Sequence, residues 1–259
     1  MKLFVSERRN TIMELLKEKK RITVKELSIE IGVSEATLRA DLNHLELVGQ
    51  LTRTHGGAVL NNGNGNENET SFYVRKRKNK TEKMKIAKKA FETIEDKQCI
   101  LLDASSTVLE LARYINAQSI NLTVVTSGIQ TAIELKENPN ITTILIGGVA
   151  TSGSSAIEGT LGLEILDSLN IDTMYTSANG FSLSNGLTDF NLYEISLKKE
   201  MIKKANKVVS LIDASKIGAT SSAVFAPLDK IDTLITDQPL SKEEAENIQS
   251  HGVKFTVVN

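Results

Sequence analysis

The sequence has very little cysteine and no hydrophobic run long enough to cross a membrane. Cys99 is the single cysteine among 259 residues, so no disulfide forms within the chain, as is usual in a reducing compartment. No apolar segment approaches the ~20 residues of a spanning helix, and the first ten residues, MKLFVSERRN, have no signal-peptide core. We therefore expect a cytosolic protein with no membrane contact, in which Cys99 is a buried strand residue rather than a reactive thiol.

Groups for metal or nucleophilic chemistry are also scarce. The three histidines, His44, His55 and His251, are scattered and show no metal-ligand spacing with Cys99. The sequence contains no Walker-type phosphate loop, no G-x-S-x-G segment and no visible nucleophile–histidine pair. We therefore expect no metal, no cofactor and no catalytic site.

Charge is unevenly distributed along a chain whose net charge is only −1. Residues 1–89 contain 19 lysines and arginines against 11 acidic residues, a balance of +8, whereas residues 90–259 contain 12 against 21, a balance of −9. Such asymmetry indicates that one end faces nucleic acid and that the remainder has a different task. Binding by the basic end should depend strongly on salt, because it releases counterions condensed on the DNA phosphates.

Residues 22–42 have the pattern of a helix, a tight turn and a second helix, preceded by a bracing helix over about 7–19. Thr23 and Glu26 have capping-box spacing, and Gly32 is placed to end the first helix in a left-handed conformation. Two short helices joined in this way form the DNA-binding helix-turn-helix, whose second helix enters the major groove. The alternative is an ordinary helical hairpin.

The second helix has an apolar face and a face of short polar or basic groups. Ser34 is placed to cap it, and Leu38, Leu42 and Leu45 fall at i, i+4 and i+7. The opposite face is therefore predicted to approach DNA. The predicted DNA-binding residues of this region are Thr23, Ser34, Glu35, Ala36, Thr37, Arg39, Ala40, Asn43 and His44.

A small β-hairpin is predicted directly after the helix pair. Residues 49–53 have the pattern of a short strand, and residues 54–59 that of a turn into a second strand. A hairpin in this place is a wing, in which Arg53 and His55 are predicted to contact phosphate or a minor groove. The alternative is a solvent-exposed hairpin that makes no contact with DNA.

Composition changes again after residue 60. Residues 61–70, NNGNGNENET, predict a flexible linker. Residues 74–89 contain nine basic residues and one acid, and they serve either as a charged spacer or in direct DNA contact. We predict a winged helix-turn-helix domain over 1–60, a flexible basic linker over 61–80, and an effector-sensing and oligomerisation domain over 81–259.

From residue 98 onwards, β-rich runs alternate with helical stretches. The runs are 99–102, 122–126, 142–146, 173–177, 208–212, 231–236 and 254–258. This alternation predicts an α/β domain with a mainly parallel sheet covered by helices on both faces. Ligands of such sheets bind beyond the carboxyl ends of the strands.

The loops at these strand ends are rich in glycine, hydroxylated residues and aspartate. Asp103 precedes hydroxylated residues at a helix start, where free N–H groups and the helix dipole favour an anion, and Lys198 can supply a positive charge. Each loop alone also fits ordinary capping and turns, but five loops at one edge favour a small phosphorylated ligand. The predicted effector-binding residues are Asp103, Ser105, Ser106, Thr107, Thr126, Ser127, Gly147, Gly148, Asn179, Gly180, Lys198 and Lys216.

These motifs together resemble the DeoR-type (DeoR/GlpR) family of bacterial transcriptional regulators. The most specific match is SEATLRADL at 34–42, followed by RTHGGA at 53–58, which looks like the family's recognition helix and wing. The second half matches in DASST at 103–107, GG at 147–148, GLT at 186–188, Glu194 with Lys198, and DASK at 213–216.

The resemblance implies an effector domain similar to ribose-5-phosphate isomerase and coenzyme A transferase folds, with a sugar phosphate as effector. It also implies a homo-oligomer, a dimer or tetramer, that represses a sugar-use operon by binding double-stranded operator DNA. Ala40 stands where many members have a second arginine, and Ser105 and Val108 replace a frequent glycine and threonine. Operator sequence and effector preference therefore cannot be taken over from relatives.

Two other functions are compatible with the pattern. The first is a phosphosugar isomerase fused to a DNA-binding head, since Glu194 and Lys198 could exchange protons on a substrate. The sequence shows no base beside a second activating group, which disfavours it. The second is a purely architectural DNA binder, which leaves some 170 residues of α/β structure without a purpose.

Overall fold

The chain divides into two compact units, Met1–Lys78 and Asn79–Asn259, which are called unit 1 and unit 2. The structure, a computed structural model, describes residues 4–47, 50–54, 56–60, 72–151 and 154–258. Unit 1 contains α1 (Val5–Lys19), β1 (Arg21–Thr23), α2 (Val24–Ile31), α3 (Glu35–Leu47), β2 (Leu51–Thr54), β3 (Gly57–Leu60) and α4 (Phe72–Arg77).

The helix pair predicted from the sequence is confirmed in its local detail. Thr23 Oγ1 accepts from the Glu26 amide at 3.2 Å, and the Glu26 carboxylate accepts from the Thr23 amide at 2.7 Å, which completes the capping box. Gly32 ends α2 at φ 72°, in the left-handed region. The Ser34 hydroxyl accepts from the Thr37 amide at 3.3 Å at the start of α3.

The core of unit 1 lies where α1, α2 and α3 meet a small sheet. Leu38, Leu42 and Leu45 are buried, as their spacing predicts. The antiparallel sheet has the order β1-β3-β2, so the predicted hairpin gains a third strand from before α2. Gly57 is required there, because a Cβ at that position would lie 2.1 Å from the Ile22 carbonyl oxygen.

The predicted linker is helical in part. Residues 61–71 lie outside the described residues, but α4 occupies six positions of the predicted linker. Phe72 is only 3% exposed, and a buried aromatic side chain at its start gives α4 an anchor that a polar tract lacks.

Unit 2 is an α/β unit with a large central sheet. Its elements are α5 (Lys80–Phe91), β4 (Cys99–Leu102), α6 (Ser106–Asn116), β5 (Leu122–Thr126), α7 (Ile129–Leu135), β6 (Ile141–Leu145), β7 (Val149–Ala150), β8 (Ile157–Glu158), α8 (Glu164–Asp167), β9 (Ile171–Thr176), β10 (Gly180–Ser182), β11 (Gly186–Asp189), α9 (Leu192–Lys204), β12 (Ala205–Ile212), β13 (Ala223–Ala226), β14 (Thr233–Thr236), α10 (Lys242–Ser250) and β15 (Lys254–Val257).

The central sheet has seven parallel strands in the order β15-β14-β12-β9-β4-β5-β6, which confirms the predicted fold class. Alternate residues face the two layers: Leu101 and Met174 pack in one core cluster, whereas Ile100 and Tyr175 pack in the other. From β4, the strands β5 and β6 follow in chain order towards one edge of the sheet. From β9, the strands β12, β14 and β15 follow in chain order towards the other edge. The topological switch point therefore lies between β4 and β9.

Three features of unit 2 differ from the sequence prediction. An antiparallel sheet, β10-β11-β13, and a short hairpin, β7-β8, add strands that the runs did not indicate. The pattern of residues 161–169 predicts a longer helix, but α8 has only four residues. In the described parts of the chain, no helix has the length and apolar character to cross a bilayer.

Candidate DNA-binding surface and effector site

The outer face of α3 presents the predicted DNA-binding residues to solvent. Ser34, Ala36, Arg39, Ala40, Asn43 and His44 are exposed, and Glu35 and Thr37 are half-buried. Thr23 is also exposed, but its hydroxyl is engaged in the capping box of α2. His55 lies outside the described residues.

Two arginines on this surface are held by neighbours in the structure. Arg39 pairs with Glu35, one turn earlier on α3, at 2.7 Å, and both side chains are about half exposed. The Arg53 guanidinium donates to the Asn43 side chain, and the Arg53 amide donates to the Glu46 carboxylate at 2.7 Å. The wing is thus tied to α3, whereas Arg39 can leave an exposed pair that is worth little in water.

A buried carboxylate fixes the orientation of α3. Asp41 is 2% exposed and accepts from Arg8 and Arg9 of α1, at 2.9 Å for Arg9. Burial raises the pKa of Asp41. The hydrogen bonds and charges of Arg8 and Arg9 together lower it by more, so the pKa of Asp41 is below its ordinary value. This contact does not follow from the sequence, because 32 residues separate Arg9 from Asp41.

The carboxyl ends of β4 and β9 hold a buried polar cluster. Asp103, which follows β4, is fully buried and accepts from the Thr176 hydroxyl at 2.6 Å and the Ser177 amide at 3.1 Å. Its other oxygen accepts from the Ser105 amide at 2.8 Å. The cluster therefore lies at the topological switch point, where open α/β sheets bind ligands.

Lys198 completes this cluster from α9. Its ammonium lies 3.2 Å from Asp103 Oδ2, 3.1 Å from Asp189 Oδ2 and 3.0 Å from the Ser177 carbonyl oxygen, so its three donors all have protein acceptors. Burial lowers the pKa of Lys198, but the two carboxylate charges outweigh burial and hold the pKa above its ordinary value. The two aspartates thus favour the charged form of Lys198.

The hydroxyls predicted at the start of α6 are buried and hydrogen-bonded within the protein. Ser105 caps α6 by accepting from the Val108 amide at 3.3 Å. Ser106 Oγ accepts from the Lys83 ammonium at 3.3 Å, and Thr107 Oγ1 accepts from the Ser177 hydroxyl at 3.4 Å.

The remaining predicted residues are spread along the same sheet edge. Thr126 accepts from the Gly128 amide at 2.9 Å, and Ser127 is buried beside it. Gly147 and Gly148 are exposed after the edge strand β6. At about 4.8 Å per strand, the ends of β12 and β6 lie roughly 19 Å apart. One small ligand therefore does not contact both the loop after β12, which contains Lys216, and the loop after β6, which contains Gly147 and Gly148.

On the β9 side, Asn179 joins the buried cluster through Asp189. The Asn179 side-chain amide donates to Asp189 Oδ1 at 2.7 Å. Gly180 begins β10 and must be glycine, since a Cβ there would lie 2.5 Å from the Ala219 carbonyl oxygen. Lys216 is 8% exposed and lies 3.6 Å from Asp213.

Asp189 and Ser177 belong to the cluster but were not predicted. Asp189 ends β11, in the antiparallel sheet that the sequence did not indicate, and Ser177 follows β9 directly. A polar residue directly after a buried strand was the available signal for Ser177, and Asp189 carried none. Among the described side chains, no group of three histidine, cysteine or acidic residues is arranged to hold a metal ion.

Two surface cavities are lined by residues outside this cluster, although Phe225, which lines one of them, has its ring centroid 4.7 Å from the Lys198 ammonium. One, of about 510 Å³, is lined by apolar residues that include Ile202, Val208 and Phe225 and by charged residues of both signs. The other, of about 310 Å³, lies between Phe181 and Leu240. Neither is lined by a residue predicted to bind the effector.

Comparison with known proteins identifies both units. The family model of the DeoR-like helix-turn-helix domain matches residues 8–64, and that of the DeoR C-terminal sensor domain matches residues 78–238. Together the two matches cover most of the chain.

Relatives match along their whole length. The HTH-type transcriptional regulator GolR of Listeria innocua is 44% identical over 98% of this chain and 99% of its own. The HTH-type transcriptional repressor GlcR of Bacillus subtilis is 32% identical over 98% and 97%, and the L-fucose operon activator of Haemophilus influenzae is 33% identical over 93% and 96%.

Solved structures of lower similarity include ribose 5-phosphate isomerase A from Methanocaldococcus jannaschii. It is 18% identical, covers 54% of this chain and 55% of its own, and has a TM-score of 0.41. That likeness is too low to carry an argument about function. The regulators that match from end to end establish that this chain is a DNA-binding transcriptional regulator and not an enzyme. With both its head and its sensor domain matched, the chain belongs to the DeoR family of helix-turn-helix transcriptional regulators.

Proposed function

We propose that the protein represses a carbohydrate-use operon and releases its operator when a phosphorylated sugar binds the carboxyl edge of the unit 2 sheet. The observation that carries the proposal is the buried cluster of Asp103, Asp189 and Lys198 at the topological switch point. A relative named as a transcriptional repressor supports repression, and a relative named as the activator of the L-fucose operon supports control of a carbohydrate operon but not repression.

On the DNA side, we assign distinct roles along α3 and the wing. Thr37 and Arg39 face the bases, and Ser34 and Arg53 contact phosphates. Arg39 is free to exchange its exposed Glu35 partner for a guanine edge, the commonest specific contact of arginine in the major groove. Arg53, which is tied to α3 through Asn43, sets the position of the wing.

On the effector side, the chemistry of the cluster fits a sugar that carries a phosphate. The start of α6, an 11-residue helix, favours the phosphate through its N–H groups and dipole. The carboxylates of Asp103 and Asp189 and the amide of Asn179 offer partners for sugar hydroxyls. Lys198 acts by holding the two carboxylates in place, since its own donors are all in use.

Paired heads are also part of the proposal. Helix-turn-helix proteins meet two half-sites about 34 Å apart, one DNA turn or a multiple of it. We therefore propose a homo-oligomer, a dimer or tetramer, as the DNA-binding form.

Operator release tests the function directly. The promoter of the protein's own gene and that of the neighbouring operon are labelled, and binding is followed by fluorescence anisotropy at physiological salt. Ribose 5-phosphate, glucose 6-phosphate, fructose 6-phosphate and fructose 1-phosphate are then added in turn. We expect specific binding and release by at least one sugar, within the 5–150-fold range of typical allosteric coupling. No preference for promoter over random duplex, or no effect of any sugar, contradicts the proposal.

The Arg39→Ala variant tests the base-reading role. Loss of an arginine–guanine contact removes about 1–3 kcal/mol of discrimination, so promoter affinity should fall while affinity for random duplex changes little. Lys17→Ala, an exposed lysine on α1, is the control and should preserve the ratio of the two affinities. An equal loss for both duplexes with Arg39→Ala would remove it from base recognition.

A further inference from the structure

The chain enters unit 2 beside two segments with predicted effector-binding residues, the start of α6, which contains Ser106, and the loop after β12, which contains Lys216. Helix α4 ends at Arg77 and α5 begins at Lys80, so only two residues separate them. Asn79, the N-cap residue of α5, contacts the loop that follows β12, and Lys83, the fourth residue of α5, contacts the start of α6. Both of these segments lie at the carboxyl edge of the central sheet.

Asn79 makes the first of these contacts. It occupies the N-cap position of α5 at φ 54° and ψ 40°, but its side chain makes no capping hydrogen bond. Instead the side-chain amide donates to Asp213 Oδ1 at 2.9 Å and to Ser215 Oγ at 3.1 Å. The Asn79 side chain therefore binds a loop 134 residues away instead of capping its own helix. This indicates that the role of Asn79 is the contact with that loop.

Lys83 makes the second contact. It is 2% exposed, and its ammonium donates to Ser106 Oγ at 3.3 Å. Burial raises the pKa of Asp213, but the charge of Lys216 and, to a smaller extent, that of Lys83 contribute to lowering it below its ordinary value. A fully buried lysine is rare unless it is paired, and a solvent-exposed neighbour, Lys85, shows that α5 accommodates lysine on its outer face.

The remainder of α5 packs in the core of unit 2. Ile86, Ala87 and Ala90 are completely buried in the core cluster that also contains Leu102 and Leu211. A displacement of the loops after β12 or before α6 is therefore transmitted to the start of α5 rather than absorbed along the helix, because packed cores do not deform continuously.

We propose that Asn79 and Lys83 couple the effector loops to the segment that leads to the DNA-binding unit. The proposal rests on the proposed function, since it assumes that a phosphorylated sugar occupies this edge. Binding rearranges the loops that hold Asn79 and Lys83, and the chain that leaves α5 towards α4 changes direction. Asn79 and Lys83 are coupling residues that need not touch either DNA or sugar.

The test uses the full chain and three variants. Asn79→Gly removes the amide but tolerates the left-handed backbone conformation, and Lys83→Met keeps the length of the side chain. Lys85→Met removes one charge from the exposed face of the same helix and is the matched control. Each protein is titrated with promoter duplex, alone and with saturating ribose 5-phosphate, glucose 6-phosphate, fructose 6-phosphate or fructose 1-phosphate, and calorimetry measures affinity for each sugar.

We expect Asn79→Gly and Lys83→Met to bind promoter and sugar within about threefold of the unsubstituted protein. The sugar-induced loss of promoter affinity should fall to less than about twofold, whereas Lys85→Met retains the full effect. Should Lys83→Met fail to fold, Asn79→Gly carries the test alone.

Other outcomes overturn the proposal in distinguishable ways. Full release in both variants refutes the coupling role and leaves the proposed function intact. Loss of sugar affinity in Lys83→Met, together with full release in Asn79→Gly, assigns Lys83 to the pocket and also refutes it. Absence of release from the unsubstituted protein removes the proposed function and the coupling together.

Discussion

Replacing Lys198 by methionine should destabilise unit 2 severely. The substitution preserves the length of the side chain but leaves Asp103 and Asp189, both no more than 2% exposed, without their shared cation. Removing one partner from a buried ion pair costs about 3–5 kcal/mol, because the other charge stays buried and uncompensated. At 2–4 °C per kcal/mol for a domain of this size, the unfolding midpoint should fall by roughly 6–20 °C.

The loss should depend on pH in a defined direction. Without the ammonium, burial and mutual repulsion raise the pKa of the two carboxyl groups in the folded variant. The folded state then binds more protons than the unfolded state at neutral pH, so stability falls as pH rises. The variant should therefore be closer to the unsubstituted protein at pH 5 than at pH 8.

Differential scanning calorimetry at both pH values measures the effect. Lys199→Met, at the exposed neighbouring position on α9, is the control, and as a surface substitution it should stay within about 0.5 kcal/mol. A midpoint shift below about 2 °C for Lys198→Met at pH 7, or one as small as that of the control, would show that the cluster is solvated and refute the reasoning.

Three further predictions concern other parts of the chain. Asp41→Asn should destabilise unit 1 by about 1–3 kcal/mol in urea unfolding at pH 7, since it weakens charged hydrogen bonds from α1. Because the pKa of Asp41 is lowered in the folded state, the difference in unfolding free energy should persist above pH about 4 and shrink as pH falls through that lowered pKa. A difference that does not depend on pH would contradict a role for the ion pairs. Gly32→Ala should lower the free energy of unfolding by about 1–2 kcal/mol. The loss comes from the φ of 72° alone, because no atom lies within 4 Å of the added methyl group. Equal stability of the two proteins in chemical denaturation would show that the turn relaxes. Burial and the charge of Asp172 raise the pKa of Cys99. The reaction of Cys99 with a disulfide reagent at pH 8 should therefore be slower in the folded protein than in the urea-unfolded protein, and equal rates would contradict this prediction.

Local features of unit 1 follow from the sequence with little ambiguity. The capping box of Thr23 and Glu26, the left-handed Gly32 and the buried face of α3 all form as their spacing predicts. These features depend on residues within one or two helical turns, where hydrogen bonding and periodicity constrain the chain directly. The ion pairs of Asp41 with α1 do not follow from the sequence, since they join helices by packing.

In unit 2 the alternation of strands and helices predicts a parallel sheet, but strand order is decided in three dimensions. The pairing of β4 with β9 joins segments some 70 residues apart, and many pairings satisfy the same hydrophobic pattern. Only that pairing places the switch point beside Asp103 and brings Lys198 to it.

Sequence patterns are enough to predict the basic head, the helix-turn-helix pair and the polar loops at the strand ends. The contacts of Lys198 with two aspartates and of Asn79 with Asp213 depend instead on how distant segments pack together. Local conformation is set by nearby backbone hydrogen bonds and side-chain spacing, which can be recognised along the chain. A buried charge, in contrast, is tolerated only where distant segments fold its partners against it.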